Sequence, residues 1–258
     1  MEKIPASAGW LWITEGTALF RKQPGALCGL FLTYMFLIFF ISILPLIGKL
    51  LPMMLVPTFS IAFRQACFNI EQGETVTPAL LLTGFRSPAF KRLLMLGVLY
   101  IVAASVAVGA SVLIDGGIFW KLITGQIAVD SKTAQQANLL LPMMFSAAIY
   151  LPAAMAFWHV APLMAWQNMG LGKAIFYSFF AVKRAGTAFL VFAFAWVGIG
   201  IFLPSVLSVL LAVITGKKEI VLLLILPMSI IMTVIMYCSF YATYTAVFPR
   251  PDTEKEAV

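Results

Sequence analysis

Six stretches of this chain are apolar and long enough to cross a lipid bilayer as helices, at roughly residues 25–45, 50–70, 93–114, 139–167, 187–214 and 220–248. A helical span needs about 20 apolar residues. Charged residues make up 10% of the chain and hydrophobic ones 62%, whereas a soluble domain carries about 25% charged residues. The apolar surface therefore exceeds what one core could hide. Inside lipid every backbone N–H and C=O must pair internally, and long apolar runs without polar alternation select helices over a closed barrel. The expected fold is all-α, a polytopic membrane bundle of six transmembrane helices.

The string Leu-Pro-Met occurs at 51–53, 141–143 and 226–228, at intervals of 90 and 85 residues, which points to an internal repeat. The repeat unit reads as a hairpin, with units at approximately 7–71, 76–167 and 170–248. Together they form a single membrane domain over 1–248, followed by a short cytoplasmic tail at 249–258. Gly48-Lys49 and Gly216-Lys217-Lys218 make tight turns, and Asp115 to Asn138 forms the longer link, opening on an Asp115-Gly116-Gly117 turn. Each unit holds two spans, so successive units enter the membrane in the same direction and are parallel, related by an axis near the membrane normal. A pseudo-threefold bundle follows.

Before each hairpin lies a stretch that is apolar on one side and basic at its end: Gly9 to Lys22, Pro78 to Arg92, and Leu171 to Arg184. The first sets Trp10, Ile13, Thr17 and Phe20 at helical spacing, with Trp10 and Trp12 suited to the headgroup region. In the second, Thr77 can cap a helix with Pro78 at its first position, ended by Gly84 or Pro88. The third places Leu171, Ile175, Phe179 and Val182 on one face. All three read as amphipathic helices lying in the cytoplasmic leaflet, with Arg21, Lys22, Arg86, Lys91, Arg92, Lys183 and Arg184 at the membrane interface. With both termini in the cytoplasm, twelve of the 17 Lys and Arg residues fall on that side and five on the other, the bias that favours this orientation.

The net charge of +7 does not imply nucleic acid, because no water-exposed module clusters the basic residues. Cys28, Cys67 and Cys238 lie in apolar segments without paired spacing, which leaves them as small hydrophobes rather than a disulfide framework or zinc site. The N-terminus lacks the pattern of a removable signal peptide, so the first span is retained. Mitochondrial carriers also combine three hairpins with surface helices, but their Pro-x-Asp/Glu-x-x-Lys/Arg signature is missing after Pro45, Pro142 and Pro204.

The residues Gly9-Trp10 through Leu19-Phe20-Arg21-Lys22-Gln23-Pro24, then Arg64-Gln65-Ala66-Cys67 and Gly73-Glu74 leading to Gly84-Phe85, resemble a family of uncharacterised proteobacterial inner-membrane proteins over most of the chain. A looser similarity, in layout only, is to the membrane domain fused to some glycerophosphodiester phosphodiesterases. The resemblance implies a bacterial inner-membrane protein and carries over no functional residues. The metal-binding carboxylates of the phosphodiesterase domain have no counterpart here, so its hydrolysis is not implied.

Arg64 and His159 are the ionisable residues nearest the interior of a span. Both lie close enough to a cytoplasmic boundary for the arginine to snorkel, leaving His159 a hydrogen-bonded packing role. Alternatively, aligning Ala62-Phe63 with Ala156-Phe157 sets Gln65 opposite His159, and the two repeats build one inward-facing polar site. Tyr237, Tyr241, Tyr244 and Thr245 share a face of span six, lining a wet crevice or serving as glue and aromatic belt. Pro52, Pro57, Pro142, Pro152, Pro162, Pro204 and Pro227 each free a carbonyl one turn earlier, either as a kink or as a polar ligand group.

No nucleophile, base or metal set converges anywhere, so no enzyme activity and no cofactor are expected. The candidate substrate-binding residues are Arg64, Gln65, His159, Tyr237 and Tyr241. They suit a small transporter or lipid-handling protein seated against anionic phospholipids; the rival is a non-catalytic scaffold that recruits other inner-membrane proteins.

Overall fold

A computed structural model describes residues 4–45, 47–128 and 138–251, and those residues contain helices and turns but no strand. Six helices among them are long and apolar enough to cross a membrane: Pro24–Ser42, Leu51–Glu71, Phe90–Asp115, Leu140–Ala165, Gly186–Thr215 and Glu219–Thr245. Each matches one of the segments expected from the sequence. Their outward surfaces are rich in Leu, Phe, Val, Ile and Met, including Phe36, Val106, Met144, Phe194 and Leu223, which only lipid or another apolar partner can cover.

In chain order the helices are α1 (Ala8–Lys22), α2 (Pro24–Ser42), α3 (Leu51–Glu71), α4 (Thr83–Arg86, after a 3-10 turn at Pro78–Leu82), α5 (Phe90–Ala110), α6 (Val112–Asp115) and α7 (Ile118–Ile123). There follow α8 (Leu140–Phe157), α9 (Val160–Ala165), α10 (Leu171–Arg184), α11 (Gly186–Val197), α12 (Leu203–Thr215) and α13 (Lys218–Thr245). A π-helical turn at Gly198–Phe202 joins α11 to α12. The long link opens as expected: Gly116 and Gly117 adopt φ +66° and +94°, and the Asp115 carboxylate accepts from Gly117 N–H and Phe119 N–H to cap α7. The rest of that link, Leu46, the first three residues and most of the expected cytoplasmic tail lie outside the described residues.

Helix α3 is the hub, packed by α2, α5, α9 and α13. Its approach to α5 is backbone to backbone, since a Cβ on Gly97 would run into the Met54 carbonyl. Gly84 of α4 likewise abuts the Thr58 carbonyl, so Gly84 docks the segment instead of ending it. Helix α1 packs against α13 and α11 by the same device, with Gly16 against the Ser239 backbone and Gly9 against Ala188 and Phe192. Small residues let helices approach closely where no hydrophobic driving force separates protein from lipid.

Four details differ from the expectation. Trp12 is not at an interface; it is 1% exposed, and its ring packs on Phe189 and Phe192, because the glycines at 9 and 16 draw that face of α1 into the bundle. Trp10 remains exposed. The stretch from Pro78 is a 3-10 turn and one turn of α-helix, stopped by extended Ser87 before Pro88, with no side-chain cap from Thr77. On α10 the buried stripe is Ala174, Ser178 and Val182, while Phe176 and Phe180 project outward. Finally, the Leu-Pro-Met strings are not equivalent joints: Pro52 and Pro142 lie in the first turn of α3 and α8, whereas Pro227 is more than two turns inside α13.

Candidate functional site

The fourth span breaks between α8 and α9, and the break gathers polar groups from four elements. Pro162 has no N–H to give the Trp158 carbonyl, and that freed oxygen accepts from Arg64 Nη2 of α3 at 3.3 Å. His159 N–H would ordinarily bond the Met155 carbonyl. Instead it donates to Ser178 Oγ of α10 at 3.0 Å, and Ser178 Oγ donates on to Met155 O at 3.2 Å. One hydroxyl is thus inserted into the helical ladder, a recognised cause of a break. Tyr100 of α5 reaches the neighbouring Phe157 carbonyl at 3.4 Å.

Arg64 is 7% exposed and does not snorkel: Nη1 and Nη2 turn inward to Ser60 O, at 3.5 Å, and Trp158 O, and Nε has no partner. His159 is fully buried, ringed by Phe189, Tyr244 and Phe248 at centroid distances of 5.4 to 6.1 Å. Neither ring nitrogen has a hydrogen-bond partner, so the packing role foreseen for it lacks the hydrogen bond.

The five candidate residues do not line one crevice. Gln65 accepts from Trp166 Nε1 at 3.2 Å, donates to Asn69 at 2.9 Å and opens toward a pocket beside α4. Tyr237 is stacked on Phe63 at 4.3 Å, within the aromatic packing of α3 and α13. Tyr241 donates to Glu71 at 2.8 Å and lines a different pocket beside α1. Sequence reasoning missed Ser178, whose hydroxyl looks like any other in an amphipathic helix. It also missed that Cys67 of α3 and Cys238 of α13 are buried in one and the same core cluster.

Polar contacts also tie together the ends of the spans near residues 23, 71, 92, 168 and 250. Gln23 donates to Glu74 O and accepts from Val76 N–H. Arg92 grips the left-handed Asn168 through its carbonyl and side-chain oxygens and takes Met169 O at 2.7 Å. Arg250 pairs with Glu71 at 3.1 Å. Near that pair, burial first and the Glu71 charge second push the Glu15 carboxyl above its ordinary range, opposed by Arg250.

Three pockets open at this end. One of about 460 Å³ is lined by Trp12, Leu19, Glu15, Lys22, Tyr241 and Arg250; one of about 450 Å³ by Ile61, Gln65, Leu80, Arg86 and Trp166; one of about 510 Å³ by Phe176, Phe180, Arg184, Val247 and Phe248. Each contains the basic residue that closes one of the short helices α1, α4 and α10. Arg21, Lys91 and Lys183 are exposed nearby in sequence. Among the described residues no group of three or more His, Cys, Asp or Glu side chains could hold a metal ion.

No protein-family model and no solved structure matches the chain. A probable inner membrane protein of Burkholderia thailandensis is 34% identical over 251 residues, covering 95% of this chain and 93% of the relative. With six apolar helices and that relationship along nearly its full length, the chain belongs to a family of probable inner membrane proteins.

Proposed function

We propose that this protein is a non-catalytic lipid-handling protein that takes anionic phospholipids at its basic end. The supporting observation is the trio of pockets, each pairing aromatic and aliphatic walls with Lys22, Arg86 or Arg184. An apolar cradle beside a cation suits an amphiphile whose tail is greasy and whose head is anionic, and each Lys or Arg near such a surface contributes about 1 kcal/mol. The basic end is the cytoplasmic one on the Lys and Arg bias, with both termini inside. The three short segments lie along the inner leaflet, and each leads one of three hairpins.

Reconstitution tests this reading. Purified protein should retain phosphatidylglycerol in preference to phosphatidylcholine by native mass spectrometry, and the triple substitution Lys22→Gln, Arg86→Gln, Arg184→Gln should erase the preference. Equal retention of both lipids by the wild type would sink it. The second reading, a scaffold for other inner-membrane proteins, draws support from an apolar groove of about 440 Å³ lined by Leu151, Phe189, Leu190, Trp196 and Phe240, which suits the side chains of a partner helix.

A further inference from the structure

Arg64 poses a problem that the surrounding protein does not solve. Its guanidinium is charged at any physiological pH, lies within the second span, and is too buried for outside water to solvate. Among the described residues its hydrogen bonds go to the Ser60 and Trp158 carbonyls, with no carboxylate among its partners. The closest carboxylate along α3, Glu71, is about two turns away and is occupied by Arg250 and Tyr241. Two bonds to backbone carbonyls, at 3.3 and 3.5 Å, are long for a charged donor. A lone buried cation in a bilayer is costly and marks a functional position. The Trp158 carbonyl that takes Arg64 Nη2 immediately precedes His159, which is fully buried with both ring nitrogens unpartnered.

We propose that Arg64 and His159 form a buried phosphate-binding site at the break in the fourth span. The planar fork of guanidinium Nε and Nη donors matches two oxygens of one anion side by side. The imidazole supplies an N–H for a third oxygen, which a phosphate has and a carboxylate lacks. Binding exchanges the long carbonyl bonds of Arg64 for charge-assisted ones. The Trp158 carbonyl that it releases is the one freed by Pro162. This site is separate from the three end pockets, and the phosphate comes from a lipid headgroup or from solution.

The full chain, purified in a neutral sugar detergent, is titrated with inorganic phosphate. In parallel, phosphatidylcholine nanodiscs containing increasing phosphatidylglycerol carry the same protein. The unfolding midpoint and Trp fluorescence are followed in both. The wild type should show a saturable rise with at least one of the two, phosphate alone identifying a soluble ligand and phosphatidylglycerol alone a lipid head. Arg64→Gln should abolish the response and His159→Gln weaken it about tenfold. Arg64→Lys keeps the charge but loses the fork and should also bind about tenfold more weakly, which preserves the test if Arg64→Gln does not fold. No response in the wild type, or an undiminished one in Arg64→Lys, overturns the proposal. A lipid response lost in the Lys22, Arg86, Arg184 triple variant but intact in the Arg64 variants overturns this site and leaves the end pockets standing; the reverse pattern upholds it.

Discussion

The second and fifth spans are both apolar helices of one bundle, yet 61% of the second span's most apolar window is buried by protein and none of the fifth's. Their mean hydropathies run the other way, 1.2 against 2.6. The less greasy helix is the central one because it carries Thr58, Ser60, Arg64, Gln65, Asn69 and Glu71, which need protein partners that lipid cannot supply. The greasier helix has no such need and lies at the edge. In a membrane protein the core is therefore marked by modest polarity and small residues, the opposite of the soluble rule.

The sharpest way to break that contrast is one methyl group placed in each span's neighbourhood. Gly97→Ala drives a Cβ into the Met54 backbone of the second span and should cost about 1–3 kcal/mol or more. Gly198→Ala, in the fifth span, meets nothing within 4 Å and should be neutral or stabilising by about 0.5–1 kcal/mol. Thermal unfolding in detergent checks both, and equal effects would end the comparison. Next in size is Ser178→Ala, which strands His159 N–H and the Met155 carbonyl at about 1–3 kcal/mol, read by the same midpoint.

A covalent probe sharpens the picture of the inner half. A membrane-permeant thiol oxidant should link Cys67 to Cys238, free thiols buried in one cluster, and so join α3 to α13, detected as one cross-linked peptide by mass spectrometry. The smallest effects belong to the rim. Glu71→Gln at the partly exposed Arg250 pair should cost no more than about 1 kcal/mol. Glu15→Gln should raise the unfolding midpoint slightly at neutral pH. The folded state holds the Glu15 proton more tightly than the unfolded chain, so its charge opposes folding, and the gap should close as pH falls through the raised value toward the ordinary 4.5.

Span positions were readable because length and hydropathy suffice for them: all six segments expected from the sequence are helices here. Which face of each turns inward was not. Periodicity identifies a core face when polar residues oppose it, and helices such as α2 or α8 are apolar all round. The inward faces are set instead by Gly9, Gly16, Gly84 and Gly97, which look inconspicuous in sequence and whose importance comes from a backbone that passes within contact distance. The same blindness hid Trp12, whose aromatic ring suits either a headgroup or a core. For the candidate site, sequence singled out Arg64, Gln65 and His159 but not their separation into a buried centre and an open pocket, because the Trp158 carbonyl that takes Arg64 and the Ser178 hydroxyl that takes the His159 N–H come from distant parts of the chain.

The inserted Ser178 hydroxyl bears on biosynthesis. Residues 155 and 159 leave the ribosome before residue 178, so the nascent fourth span can enter lipid with that turn closed, the His159 N–H on the Met155 carbonyl. Only when the α10 segment arrives does its hydroxyl open the turn, which makes the last third of the polypeptide the sculptor of the middle.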